Sequence, residues 1–459
     1  MLFTSDSFMV FLPIVFVIYW LAGRFGARSQ NLVLLLANYV FYGWLDWRLC
    51  GLLALSTACA FATGLWLDGA VKHRKLPVLL SLAVNLGVLG FFKYYNFFAG
   101  SIGAAFSALG WPIDIPTLQL VLPIGISFYS FMSISYTIDV YRGTIGAVRS
   151  PVVFGASMSF FPQLLAGPIG RMRELVPQFE KGRVFDYNLA VDGSLQMLWG
   201  FFVKMVVADG CAGLTDRMFL GYASFPGSVL LVGAFMYTVQ IYADFSSYSN
   251  LAIGCGKLFG IRLRQNFACP YFATNISDFW RRWHMSLTSW FKDYVYIPLG
   301  GSRCSKVKHI RNTFVVFVLS GLWHGANWTF VIWGFIHACL FLPLLLLGKR
   351  IKTGPFGWLL TFPSVMLAWV FFRAPDLNSA LGYFSSMFSL SLLSIPRQYL
   401  SMLPWVIALL VIDWIQRKRE HVLQFASLPR VIRWLICLVL ATLCIAYQQR
   451  NAEFIYFQF

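Results

Sequence analysis

The chain has 459 residues, of which 58% are hydrophobic and 12% are charged, and its mean hydropathy is +0.68. A soluble globular protein carries about 25% charged residues, so this composition excludes a soluble fold. It predicts an all-α polytopic membrane protein surrounded by lipid. The formal net charge of +18 does not indicate a nucleic-acid partner, because the basic residues cluster between apolar stretches, as the positive-inside rule requires.

The apolar stretches predict about twelve membrane crossings. The first, residues 8–23, lacks a basic leader and a small-residue cleavage site, so we expect it to be retained. Segment 151–168, rich in Phe, Pro and Gly, is expected to enter the membrane without crossing it. The other predicted spans are 31–47, 49–68, 76–99, 119–141, 188–208, 226–258, a hairpin within 312–347, 357–373, 401–416 and 431–449.

The basic clusters orient these spans. With the N-terminus outside, every cluster lies on the cytoplasmic face, and the C-terminus also lies outside. We therefore expect one membrane domain over residues 1–459, with residues 450–459 as an extracytoplasmic aromatic tail. The nine cysteines contain no C-x-x-C pair and predict apolar packing, with no metal site.

The longest polar stretch, residues 261–311, mixes arginines with aromatic residues. Arg281, Arg282 and Trp283 stand directly before His284. A solvated basic loop beside an interfacial aromatic belt has this composition. A site for a phosphorylated donor from the cytoplasm has it too, since arginine forks suit phosphates and a tryptophan face suits a nucleotide ring. The second interpretation makes these three residues donor-binding candidates.

His324 stands in a long apolar run, where a histidine by default marks a functional site. It lies between Gly321 and Gly325, which leave room for close approach, while Trp323 and Asn327 supply polar groups. Such a histidine can bridge two helices by hydrogen bonding. It can also take a proton from a hydroxyl nucleophile and return it to a leaving thiol. Its neighbours favour the catalytic role.

Carboxylates within the predicted spans are few. Asp244, in the span 226–258, can orient a catalytic group or serve as a structural hydrogen-bond hub, and we favour the hub. No P-loop, dinucleotide fingerprint or G-x-S-x-G elbow occurs, so we expect no tightly bound cofactor and no serine nucleophile of the usual kind.

Six sequence motifs stand out along the chain: Phe161–Ile169, Asp244–Ser246 with Ile253-Gly254, Asn266-Phe267 with Pro270-Tyr271, Phe279–His284, Tyr296–Gly301 and Gly321–Gly325. Together these motifs resemble one family, the membrane-bound O-acyltransferases of the bacterial alginate O-acetylation type. Members of that group also act on peptidoglycan and cellulose, and the teichoic-acid D-alanylation transporter is a related protein. The family usually has Gly and Asp where this chain has Ser247 and Asn250, which changes the local polarity.

The resemblance implies a ring of tilted transmembrane helices around a central funnel with re-entrant segments. It makes His324 the catalytic residue on the funnel floor and His284 the second catalytic histidine. The donor, with acetyl-CoA as the usual candidate, would approach from the cytoplasm, and the acetyl group would leave outside the bacterial inner membrane. An extracytoplasmic SGNH-type O-acetyltransferase would then modify a cell-envelope polysaccharide or exopolysaccharide.

The predicted tail ends in Phe-Ile-Tyr-Phe-Gln-Phe, residues 454–459. Such a tail is typical of an interfacial anchor. It also resembles the tyrosine-bearing tail of this family, in which the tyrosine is implicated as an acyl carrier, so Tyr456 would accept the acetyl group as a phenolic ester. The alternative from another class is a polytopic transporter or flippase in which His284 and His324 relay protons.

Overall fold

A computed structural model describes residues 1–69, 73–347, 354–396, 399–425, 428–448 and 454–455. Within these ranges the chain is helical and contains no strand, which confirms the all-helical prediction. The helices are α1 (Asp6–Ala22), α2 (Ala27–Gly43), α3 (Cys50–Asp68), α4 (Lys75–Leu89), α5 (Tyr95–Ala108), α6 (Ile126–Tyr141), α7 (Pro151–Met158), α8 (Phe161–Leu164), α9 (Met172–Glu180), α10 (Tyr187–Phe202), α11 (Asp209–Leu220), α12 (Gly227–Leu258), α13 (Ile276–Arg282), α14 (Met285–Phe291), α15 (Lys306–His324), α16 (Trp328–Leu347), α17 (Trp358–Arg373), α18 (Leu377–Met387), α19 (Leu403–Gln416) and α20 (Arg430–Ala446).

Six helical stretches in the described ranges are long and apolar enough to cross a membrane. Each coincides with a predicted span or with part of the predicted hairpin. Many large apolar side chains on these helices are exposed, a surface that suits lipid chains better than water. The six stretches are Asp6–Phe25, Trp47–Asp68, Lys75–Ala108, Tyr187–Leu220, Gly227–Leu258 and Trp328–Leu347.

Two predicted segments differ from regular spans for local reasons. The span predicted over 119–141 becomes helical only at Ile126, because Pro116 and Pro123 disfavour helix in the preceding stretch. Segment 151–168 forms only the short helices α7 and α8, and most of it is buried. The Asn38 side chain donates to the carbonyl of Ala156 (3.2 Å) and accepts from the amide of Phe161 (2.9 Å), which supports the break between these helices.

The described residues form two compact units, 1–193 with 255–264, and 194–254 with 265–459. In the first unit, α3 and α4 pack against α6 through a buried polar cluster. Ser56 donates to the Asn85 side chain (2.6 Å), and Asn85 donates to Ser133 (2.9 Å). Every predicted site residue that the structure describes lies in the second unit.

Candidate active site

Helices α15 and α16 form a closely packed hairpin that positions His324. A β-carbon on Gly321 would overlap the carbonyl oxygen of Phe330, and one on Gly334 would overlap that of Phe317. Small residues at such contacts allow two helix backbones to approach in a membrane. The sequence predicted a close approach at Gly321, and the group that approaches it is the backbone of α16.

His324 is the last residue of α15 and is 3% exposed. Its ring lies among aromatic rings, with centroids at 5.0 Å from Trp323, 5.2 Å from Trp333 and 5.2 Å from Phe372. This setting has a low dielectric, where a proton acceptor and a developing charge interact more strongly than in water.

Asn327 shapes the turn that follows His324. Its side-chain oxygen accepts from the amide of Thr329 (3.0 Å) at the start of α16, and its side-chain amide donates to the carbonyl of Pro375 (2.7 Å). Both polar ends of Asn327 are therefore occupied by the backbone. Its supporting role is to cap α16.

His284 lies in a tight turn between α13 and α14 with a left-handed backbone, φ +42°, and is fully buried. Asn266 holds this turn. The amide of Met285 donates to the Asn266 carbonyl (2.9 Å), and the amide and hydroxyl of Ser286 donate to the Asn266 side-chain oxygen (3.2 and 2.9 Å). Non-glycine residues in this conformation are strained and cluster at functional sites.

The two predicted histidines come together. Their ring centroids are 6.3 Å apart, and Trp323 lies close to both, at 5.6 Å from His284. Neither ring nitrogen of His284 has a hydrogen-bond partner among the described residues. A buried polar group in this condition calls for an explanation.

A third buried histidine, His337 on α16, was missed by the sequence analysis. Its ring lies 4.7 Å from that of Trp333 and 4.9 Å from that of Trp280, and it is fully buried. The signal was present, because His337 stands in the same kind of apolar run as His324. Its described neighbours are aromatic, so we assign it to packing beneath Trp333.

Asp244 belongs to a buried ion cluster that is centred on Lys204. The Nζ atom of Lys204 lies 2.7 Å from Asp209 Oδ1 and 2.7 Å from Asp244 Oδ1, and all three side chains are almost fully buried. The arrangement agrees with the hub interpretation of Asp244. Lys204 and Asp209 were missed, although a lysine inside the predicted span 188–208 is a signal of the same kind as His324.

The last described residues of the chain lie at this cluster. The amide of Ile455 donates to Asp244 Oδ2 (2.7 Å), and the ring of Phe454 lies 4.1 Å from that of Tyr248. Phe454 also lies 6.0 Å from Phe245, whose ring is 4.5 Å from that of His284. Tyr456 lies outside the described residues.

The three predicted donor-binding residues have different surroundings. Arg281 is exposed, and Arg282 forms an ion pair with Asp278 (3.0 Å). Trp283 is fully buried against Trp369 (4.9 Å) and other rings. Its predicted role needs correction, because in this packing its ring is not presented to a nucleotide. The sequence pattern does not distinguish a tryptophan of an interfacial belt from one that packs in the interior. This is why the sequence predicted an exposed ring at Trp283.

A polar pocket with a volume of about 70 Å³ opens beside the His284 turn. Arg417 and Arg419 line it after the end of α19, and Asn266 lines it next to the turn. Deeper in the pocket, the Tyr242 hydroxyl donates to Asp413 (2.5 Å). Asn250, one of the two departures from the family pattern, also lines this pocket.

Comparison with known proteins identifies the family. A profile of the membrane-bound O-acyltransferase family matches residues 36–381. The chain belongs to this family. It is 42% identical over 400 residues to the probable alginate O-acetylase AlgI of Azotobacter vinelandii, covering 85% of this chain and 78% of the relative.

Two further relatives widen the comparison. The peptidoglycan O-acetyltransferase of Helicobacter pylori is 34% identical over 428 residues, covering 85% of this chain and 80% of that protein. The teichoic acid D-alanyltransferase of Bacillus subtilis is 29% identical over 237 residues, covering 49% and 59%. The protein is therefore a multi-pass membrane O-acyltransferase, and the family favours an enzyme over the transporter alternative.

The hairpin contact yields a first prediction. Gly321→Ala should lower acyl transfer and destabilise the protein by about 1–3 kcal/mol, because the added methyl overpacks α15 against α16 and displaces His324. Gly213→Ala on α11 is the matched control, since a β-carbon there meets nothing within 4 Å. Transfer rates and thermal midpoints of the two variants are compared. Equal values for both would show that the close contact does not position His324.

Proposed function

We propose that this enzyme moves an acetyl group from a cytoplasmic donor across the bacterial inner membrane to an extracytoplasmic partner. An SGNH-type O-acetyltransferase would then place it on a cell-envelope polysaccharide or exopolysaccharide. Two relatives are named for acetylation of alginate and of peptidoglycan, which supports acetyl as the group. The observation that carries the proposal is the convergence of His284, His324 and the described end of the tail.

The donor in this proposal is acetyl-CoA, bound in the polar pocket. Arg417 and Arg419 belong to a basic cluster that the orientation rule places on the cytoplasmic face, and guanidinium groups suit the donor's phosphates. Asn266 lines this pocket, and its contacts hold the His284 turn. The thioester end of the donor would thus approach the histidine pair, while Arg281 and Arg282 would add positive charge near the pocket.

Tyr456 is the acyl carrier in this scheme. His324 takes the proton of the phenolic hydroxyl, the phenolate oxygen attacks the thioester carbonyl, and the C–S bond breaks. The proton on the imidazole passes to the departing thiolate, so the products are acetyl-Tyr456 and CoA. The phenyl ester retains much of the thioester's transfer potential, so the second transfer to a sugar hydroxyl remains downhill.

The tail supports this scheme by its connection to the site. Ile455, the residue before Tyr456, is held at Asp244, and Phe454 contacts the ring beside His284. Holding the nucleophile and the donor together makes the reaction nearly intramolecular. The aromatic surroundings of His324 also limit water, which is the competing acceptor.

The test is the intact mass of the C-terminal peptide after the purified protein has been incubated with acetyl-CoA. We expect the added mass of one acetyl group on Tyr456, and its loss in His324→Ala. Transport coupled to a proton gradient, with no protein-bound acetyl and no dependence on the donor, would instead favour the transporter function. Unmodified peptide together with retained polysaccharide acetylation would contradict the carrier scheme.

A further inference from the structure

The buried ion cluster and the tail meet at a single carboxylate. Asp244 Oδ1 faces the Lys204 ammonium, and its Oδ2 accepts the amide of Ile455. We propose that Lys204, Asp209 and Asp244 form a docking site that positions the C-terminal tail by binding its backbone. The consequence for catalysis rests on the proposed function, whereas the docking itself does not.

Charge balance explains why this cluster binds an amide. One lysine faces two aspartates, and all three side chains are removed from solvent. A buried carboxylate without sufficient partners is costly, so Asp244 Oδ2 requires a donor. A backbone N–H supplies one without adding charge, and a hydrogen bond from an amide to a carboxylate is stronger than one between neutral groups.

Local helix geometry builds the cluster. Lys204 lies in a π-helical turn, Val203–Ala208, in which the amide of Asp209 donates to the carbonyl of Lys204. The wider turn brings residues five positions apart onto one side, so Lys204 and Asp209 face each other. Such turns are uncommon and are found frequently at functional sites.

Aromatic contacts add to the docking site. The ring of Phe454 lies 4.1 Å from that of Tyr248, whose centroid is 5.7 Å from the Lys204 ammonium. Phe454 is fully buried and Ile455 is 4% exposed. The tail is therefore held by its backbone amide and by one ring, and both contacts precede Tyr456 in the chain. Asp244 and Lys204 act on the reaction as positioning residues.

The test removes the N–H of Ile455 while the cluster stays unchanged. The full-length protein and its Ile455→Pro and Ile455→Val variants are treated with a carboxypeptidase in detergent, and the intact mass is followed. We expect the proline variant to lose residues from the tail at least about 10-fold faster than wild type, as a lost hydrogen bond to a buried charge implies. The valine variant keeps the amide and should stay within about 2-fold of wild type.

Variants of Asp244 test the docking site from the side of the acceptor. Asp244→Asn keeps an acceptor oxygen and should protect the tail better than Asp244→Ala, with thermal midpoints recorded to detect unfolding. Equal digestion of wild type and Ile455→Pro overturns the docking proposal. A released tail in Ile455→Pro, with acetyl transfer retained in Tyr456→Phe, leaves docking intact and rejects the carrier scheme instead.

Discussion

His324→Ala should reduce acetyl transfer to the C-terminal peptide by about 10²- to 10⁴-fold, the usual effect of losing a general base. The imidazole lies at the end of α15, 6.3 Å from the His284 ring and among aromatic side chains that exclude water. The measurement is the initial rate of label incorporation from acetyl-CoA into the purified protein.

The matched control for this experiment is His337→Leu. His337 is also a fully buried histidine, but it lies on α16 among Trp280, Trp333 and other rings. We expect less than about a 10-fold loss, because packing rather than proton transfer is disturbed. Comparable losses in both variants, with unchanged thermal midpoints, would argue against a special role for His324.

The motif positions predicted a site around His284 and His324, and the structure places these two rings 6.3 Å apart. Among the described residues, six of the predicted spans coincide with helical stretches that are long and apolar enough to cross a bilayer, and the cost of a histidine in such a span drew attention to His324. The sequence linked His284 with His324 through the resemblance and through the proton-relay alternative, and neither gave a distance between them. The proximity of the two rings depends on the left-handed turn at His284 and on the contacts of Asn266. Neither feature can be predicted from the amino-acid sequence around His284.

Other parts of the site depended on tertiary packing. Tryptophan is common at membrane interfaces, yet Trp283 is fully buried and its ring packs against that of Trp369. Lys204 was detectable as a charge within a span, but its two partners were not, since a π-helical turn changes the spacing that an α-helix would impose. The docking of Phe454 and Ile455 joins residues far apart in the chain.

Removal of the proposed acyl carrier has the largest expected effect. Tyr456→Phe should abolish both the acetylated tail peptide and acetylation of the extracytoplasmic polymer, with a loss of at least about 10³-fold, as for other essential nucleophiles. The variant keeps the aromatic ring and leaves Phe454 and Ile455 in place, so interfacial anchoring and docking at Asp244 should persist. Mass analysis of the tail and polymer-bound acetate in cells measure the two effects.

A double variant tests whether the tail needs its hydroxyl group at position 456 or only somewhere in the tail. Residues 450–459 contain one tyrosine, so Tyr456→Phe combined with Phe457→Tyr moves the hydroxyl by a single residue. In the proposed scheme, docking of Ile455 at Asp244 sets which residue of the tail reaches His324. We therefore expect no recovery of transfer in the double variant. Near wild-type acetylation in Tyr456→Phe would reject the carrier, because the hydroxyl oxygen is the only atom that this change removes.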